Sequence, residues 1–217
     1  MIHKLTVLIT FLLLTGLAAL PVASADEPVA GIDYQVIDPP VSTQADEGRV
    51  EVVELFWYGC PHCYNFEPHV HEWKARNQEN VTFRYLPAVF NDLWAFHARV
   101  FYAAESLDLL DKLHTPFFHA IHAQGRRMAD ERSVLRFVEQ QGVDPGEFRR
   151  ALASDEVTEK VREAIQLTRD YRIEGVPAVA VDGRHLVSPG MSGSFDRMMR
   201  VMDHLVEKAS GESGASR

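Results

Sequence analysis

The chain has 217 residues, with 22 Lys and Arg against 31 Asp and Glu and a formal net charge of −9. That balance has the wrong sign for a nucleic-acid partner, which requires a basic face to neutralise phosphates. The length suits one domain, or one domain carrying an insertion. Cysteine is used only twice, at Cys60 and Cys63.

The chain opens with a lone cation, Lys4, an apolar run from Leu5 to Leu20, and then Pro21-Val22-Ala23-Ser24-Ala25. This is the pattern of a secretory signal peptide with an Ala-x-Ala site, and cleavage is expected after Ala25. An uncleaved anchor is the alternative, but the run is short of the roughly 20 apolar residues that a spanning helix needs. The rest of the chain is expected to be soluble, in a compartment where disulfides persist.

An extended, Pro-containing lead-in covers Gly31 to Pro40. Arg49 to Trp57 then reads as a buried strand, because Val50, Val52, Val53, Leu55, Phe56 and Trp57 supply β-branched and aromatic density. Cys60-Pro61-His62-Cys63 follows at once and opens a helix to about Gln78. Pro61 suits its first turn, where the missing N–H is not needed, while Pro68 falls inside and is expected to kink it. Val81 to Leu86 alternates as a second strand, with Val81, Phe83 and Tyr85 on one face.

From Leu93 to Tyr171 the pattern is helical. Asn91 or Asp92 caps a helix marked by Phe96, Val100, Phe101 and Ala104; Leu107, Leu110, Leu113, Phe117 and Ile121 mark the next, which contains Pro116. Asp130 opens a third that Gly142 closes, Asp144-Pro145-Gly146-Glu147 starts a fourth, and Ser154 starts a fifth along Val157, Val161, Ile165 and Thr168. Strand character returns at Ala178 to Val181, Asp182-Gly183 turns a hairpin into Arg184 to Val187, and Ser194 caps a last amphipathic helix.

This order describes an α/β fold, a βαβ–ββα sheet domain split by an all-helical insertion. The expected division is a signal at 1–25, a discontinuous sheet domain at 26–90 and 172–210, the insertion at 91–171 and a flexible tail at 211–217.

The cysteine pair carries the chemistry. A bridge between residues so close in sequence closes too small a loop to stabilise much, so reactivity explains the pair better than stapling does. Thiol–disulfide exchange needs an accessible thiolate, and a helix N-terminus favours an anion. Cys60 sits at that terminus as the attacking thiol, and Cys63, one turn on and more buried, is the resolving one. His62 between them can favour the thiolate electrostatically, or can be an inert surface residue. A metal site of Cys60, Cys63, His69 and His71 is the competing arrangement. It would have to draw all four ligands from one helix, with the two histidines on different faces, whereas zinc sites usually take their second pair from a separate loop. Glu54 interrupts an apolar strand, so it is either a buried carboxylate able to carry protons, with Arg84 as its partner, or an edge residue reaching solvent. Val176-Pro177 at the start of the returning strand is, on chemistry alone, an ordinary loop proline.

A strand, a C-x-x-C helix start and a distant Val-Pro opening a hairpin together resemble the thioredoxin superfamily. Within it, Cys-Pro-His-Cys and the long helical insertion resemble the DsbA-type periplasmic disulfide-forming oxidoreductases. Proteins of that type are a known case of a strongly oxidising C-x-x-C pair, whose reduced form is the stabilised one. The resemblance implies that Cys60 is the nucleophile, that Cys63 resolves, that the two form the redox disulfide and that His62 lowers the nucleophile's pKa. It makes Pro177 a cis-proline facing the disulfide and Val176 an extended edge for substrate backbone. Glu54 becomes the buried acid, with Glu67 and Arg84 the charged positions beside it, and Pro68 the helix-kinking proline. Reduced, unfolded exported proteins are the implied substrates, and a DsbB-type quinone-linked membrane protein the implied reoxidant, with no organic cofactor or metal. A thioredoxin-like reductase or isomerase is the alternative role; an isomerase would usually need a dimerising segment, and the lead-in from Asp26 to Gln44 is short for one, so a monomer is expected.

Overall fold

The computed structural model describes residues 27–215, so the expected signal segment lies outside the described residues. The sheet strands are β1 (Gln35–Val36), β2 (Val50–Phe56), β3 (Val81–Pro87), β4 (Ala178–Val181) and β5 (His185–Val187). Their spatial order is β1-β5-β4-β2-β3, with β2 and β3 parallel and the other pairs antiparallel. Helix α1 (Pro61–Asn77) makes the crossover between the parallel strands and runs unbroken through Pro68. The insertion between β3 and β4 holds α2 (Asp92–Ser106), α3 (Leu110–His122), α4 (Glu131–Gln140), α5 (Pro145–Leu152) and α6 (Asp155–Asp170). After β5 come a short α7 (Pro189–Ser192) and α8 (Phe195–Ala215). The fold class is the α/β sheet with a helical insertion that the sequence pattern describes.

Strand pleating explains why the sheet carries two cores. Side chains alternate across a strand, so Val53 and Leu55 of β2, with Ala178 and Ala180 of β4, face the insertion and join Phe101, Phe117, Phe118, Phe137 and Phe148. Val50 and Val52, with Val179 and Val181, face the opposite way and meet Phe66, Val70 and Trp73 of α1 and Met198, Met202 and Leu205 of α8. β2 is buried at every position, as a central strand covered on both faces must be.

The helix starts are set by their caps. Asn91 Oδ1 accepts from the Leu93 and Trp94 amides, Asp130 from Ser133, Asp144 from Gly146 and Glu147, and Ser154 from Val157. The hairpin turn places both Asp182 (φ 53°) and Gly183 (φ 62°) in the left-handed region, as a type I′ turn requires. A side chain at Gly183 would also lie 2.0 Å from the Val41 carbonyl oxygen, so only glycine fits there.

Two details differ from the sequence reading. α8 continues to Ala215 instead of giving way to a tail at Gly211, since Ala209 is buried against the sheet-side core and no proline follows it. The lead-in and the region after β5 also form the regular elements β1 and α7, both too short to show a hydrophobic period.

Candidate active site

The site forms where β2 hands the chain to α1. Cys60 is the N-cap of α1, with extended backbone at φ −87° and ψ 115°, and Pro61 occupies the first turn. An N-cap side chain is aimed at the free amides of the first turn; here the acceptor is sulfur, and Cys60 Sγ receives the Cys63 amide at 3.3 Å. The Cys60 thiol also lies 3.3 Å from the Val176 carbonyl oxygen, to which it donates. The Val176–Pro177 bond is cis. Thus the start of α1 and the entry to β4, distant in sequence, meet at one sulfur.

The two cysteines, both free thiols, are electrostatically unlike. Cys60 is 7% exposed and Cys63 not at all. The Cys63 thiol hydrogen-bonded to Cys60 lowers the Cys60 pKa to about 6, and the amides of Cys63 and His62 and the His62 charge add to this against the cost of burial. Burial drives Cys63 the other way, well above the usual thiol range, helped by its bond to Cys60 and the charges of Cys60 and Glu54. One sulfur is therefore an anion near neutrality and the other a thiol.

His62 is exposed. It stands on the rim of a cleft of about 560 Å³ whose wall includes Ile173, Val176, Pro177, Leu186 and Met191. His69 and His71 lie apart from the sulfurs: His69 packs on Phe195 and faces Asp196, while His71 turns to Glu67. Among the described residues no group of three or more His, Cys, Asp or Glu could hold a metal ion.

Glu54 is wholly buried, and neither carboxyl oxygen has a hydrogen-bond partner among the described residues. Burial raises its pKa well above the carboxylate range; the charges of Glu67 and Cys60 raise it further, and Lys74 opposes them. Arg84 is not its partner. In the parallel register Arg84 stands opposite Val53, on the face that carries Glu51, whereas Glu54 stands opposite Tyr85 and points the other way. Arg84 Nε therefore donates to Glu51 Oε1 at 2.9 Å.

Glu67 lies at the centre of a chain of polar groups. Its Oε1 faces His114 Nε2 at 3.4 Å; its Oε2 accepts from Thr115 Oγ1 at 3.3 Å and lies 3.4 Å from His71 Nε2. Burial pushes Glu67 up, but His114, His71 and Thr115 outweigh it and hold it below its usual value. On its other side His114 Nδ1 bonds the Tyr58 hydroxyl at 2.9 Å. His122 Nε2 bonds the Tyr58 carbonyl at 2.8 Å and its ring stacks on Tyr64. α3 thus grips the Cys60 loop at both ends of Tyr58. Across the loop Trp57 stacks on Trp94, with ring centroids 4.4 Å apart and planes 7° from parallel.

Tyr58, His114 and His122 are absent from the sequence-based site. The available signal was His114 on the apolar stripe of Leu110, Leu113 and Phe117, a titratable group where a core residue would otherwise stand. Its partners come from other elements, which no local pattern reveals.

Residues 51–205 match the DSBA-like thioredoxin domain family. The thiol:disulfide interchange protein DsbA of Burkholderia cepacia is 38% identical over 200 residues, covering 92% of this chain and 94% of its own length. The Azotobacter vinelandii protein of the same name is 37% identical over 178 residues, covering 82% of this chain and 83% of its own. The crystal structure of Pseudomonas aeruginosa DsbA superposes with a TM-score of 0.82 at 33% identity, covering 89% of this chain and 99% of that one. A redox pair of opposite acidity at a helix start, the split sheet domain around it and this likeness over nearly the whole length lead to one conclusion: the chain belongs to the DsbA family of thiol:disulfide oxidoreductases.

Proposed function

We propose that this protein donates its Cys60–Cys63 disulfide to reduced, unfolded exported proteins in the periplasm, reached after signal cleavage behind Ala25. A substrate thiolate attacks Cys60 Sγ, the Cys60–Cys63 bond breaks, and Cys63 leaves and takes up a proton. The substrate's second thiolate then attacks its own sulfur in the mixed disulfide and Cys60 leaves as thiolate. The substrate is oxidised by two electrons and the enzyme pair reduced by two.

The observation that carries this reading is the contrast between the sulfurs. Leaving as a thiolate is easier the lower the thiol's pKa, and a Cys60 pKa of about 6 favours release of oxidised substrate. Val176 and Pro177 beside Cys60 are assigned to substrate backbone, which pairs with an extended edge. His62 and Pro61 shape the thiolate end of α1, and Glu54 is the buried acid able to carry protons near Cys63, with Glu67 the charged position beside it. Arg84, bound to Glu51, supports the sheet beneath. A DsbB-type quinone-linked membrane protein restores the disulfide, and the enzyme works as a monomer without organic cofactor.

The test is to mix oxidised enzyme with a reduced, unfolded two-cysteine protein and follow substrate oxidation. The Cys63→Ala variant, activated as a mixed disulfide on Cys60, should accumulate the substrate adduct at Cys60. Substrate that stays reduced, or no adduct at Cys60, overturns the reading.

A further inference from the structure

The cleft beside Cys60 has an apolar wall and a charged edge. Ile173, Val176, Pro177, Leu186 and Met191 belong to the wall. Apart from His62, the only charged residues lining the cleft among the described residues are Arg172 and Glu174. Both are exposed, with Ile173 buried between them, and neither makes an ion pair or a side-chain hydrogen bond within the described residues.

The backbone does not call for these charges. Arg172 follows α6 in the left-handed region at φ 52°, its amide donating to the Arg169 carbonyl at 2.9 Å. Glycine or asparagine is the usual choice at such a helix end. The helix dipole favours a cation there, but Glu174 has the opposite sign. Arg172 also borders a second cleft together with Glu163 and Asp170, yet it pairs with neither, and Asp170 accepts from Gln166 at 2.9 Å. Two opposite charges are therefore left without partners beside the redox sulfur.

Their spacing suits an extended chain held at Cys60. The Val176 carbonyl oxygen lies 3.3 Å from Cys60 Sγ, and Glu174 and Arg172 precede Val176 by two and four positions. The chain can carry them no further than about 7 and 14 Å from Val176. An extended substrate covers the same spans in two and four residues, and those residues share the face of its cysteine.

We infer that Arg172 and Glu174 select substrates by charge pattern. The favoured segment has a basic residue two positions from its reacting cysteine, opposite Glu174, and an acidic residue four positions away on the same side, opposite Arg172. The charged edge thereby ranks the cysteine-containing segments that the apolar wall admits. This rests on the proposed donation of the disulfide to unfolded chains.

The experiment measures second-order rate constants for oxidation of reduced peptides by the oxidised full-length enzyme. The peptides share one composition. One carries Lys two and Asp four positions from the reacting cysteine, the other has the two exchanged, and each pair is made with the pattern before or after the cysteine. The second cysteine sits in a Gly/Ser tail common to all. In one of the two placements the matched peptide should react about three- to tenfold faster than the exchanged one at low salt, as two exposed ion pairs allow. That ratio should fall towards one near 1 M salt, where the screening length is about 3 Å. The double variant Arg172→Glu, Glu174→Arg should invert it. Because the ratio is taken within one enzyme, loss of folded protein cannot produce the inversion. Equal rates in both placements overturn the inference, as does a preference that the double variant leaves unchanged. Peptides oxidised equally remove only the charge pattern, whereas peptides that all stay reduced remove the donation reading as well.

Discussion

Arg84 Nε lies 2.9 Å from Glu51 Oε1, joining two parallel strands through a carboxylate with no solvent exposure. The same oxygen accepts the Gln44 amide, so the ion pair also ties the lead-in to the sheet. Removing one partner of a buried pair leaves an uncompensated charge, which costs more than the pair itself contributes. Arg84→Met should therefore destabilise the protein by about 2–3 kcal/mol in denaturant titration, and Glu51→Gln in that background should recover part of the loss. An unchanged midpoint in the single variant would remove the pair from the fold's stability.

The acidity of Cys60 should depend more on its fellow cysteine than on the histidine between them. The Cys63 thiol makes the largest lowering contribution and the His62 charge the smallest. Thiolate absorbance titration of the reduced protein should show the Cys60 pKa rising by about one unit or more in Cys63→Ala. The rise in His62→Leu should be smaller, because the His62 amide stays in place. The reverse order would refute this ranking.

The contribution of Cys60 to the stability of the reduced protein should grow as pH rises from about 6 towards 9. In that window the unfolded chain holds a proton on Cys60 that the folded chain has lost, so raising the pH favours folding. The stabilisation is fully present above the unfolded pKa and disappears as pH falls through about 6. Its slope is bounded by about 1.4 kcal/mol per pH unit and is reduced by solvent on the open side of the sulfur. The difference in stability between the reduced protein and Cys60→Ser, from thermal melts across that window, should show this slope, and a difference independent of pH would refute it.

Gly59→Ala should disturb the loop before Cys60. A Cβ there would stand 2.3 Å from Trp57 Cζ2, and the indole is held in place by Trp94. Relieving such a clash means moving the indole or the loop, at a cost of about 1–3 kcal/mol. A lower melting temperature with altered near-ultraviolet dichroism is expected; an unperturbed spectrum would place the strain elsewhere.

The parts of the fold visible in the sequence are those with a local period or a cap. The dense apolar run of β2, the helix stripes of the insertion, Asp144-Pro145 and Asp182-Gly183 each declare their structure within a few residues. The same holds for Cys60 and Cys63, since a C-x-x-C pair behind a strand has a local meaning. What stayed hidden depends on register and on contacts between elements. Arg84 and Glu54 are both charged residues on neighbouring strands, and only the pairing of Arg84 with Val53 shows that they face apart. Glu51, the true partner, looks in sequence like an ordinary polar position beside Val50. His114 falls in an apolar stripe and acquires a polar role only because α1 brings Glu67, and the Cys60 loop brings Tyr58, to its two ring nitrogens.

The double hold of α3 on Tyr58, His114 at the hydroxyl and His122 at the carbonyl, ties the evolutionary fate of the insertion to that of the sheet domain. A graft that exchanges the insertion for one lacking both histidines would leave a buried phenol and a loop carbonyl without their acceptor and donor, one residue from Gly59 and two from Cys60. Tyr58, His114 and His122 should therefore change together among relatives or not at all, and variation at the active-site rim is constrained by a helix that contains neither cysteine.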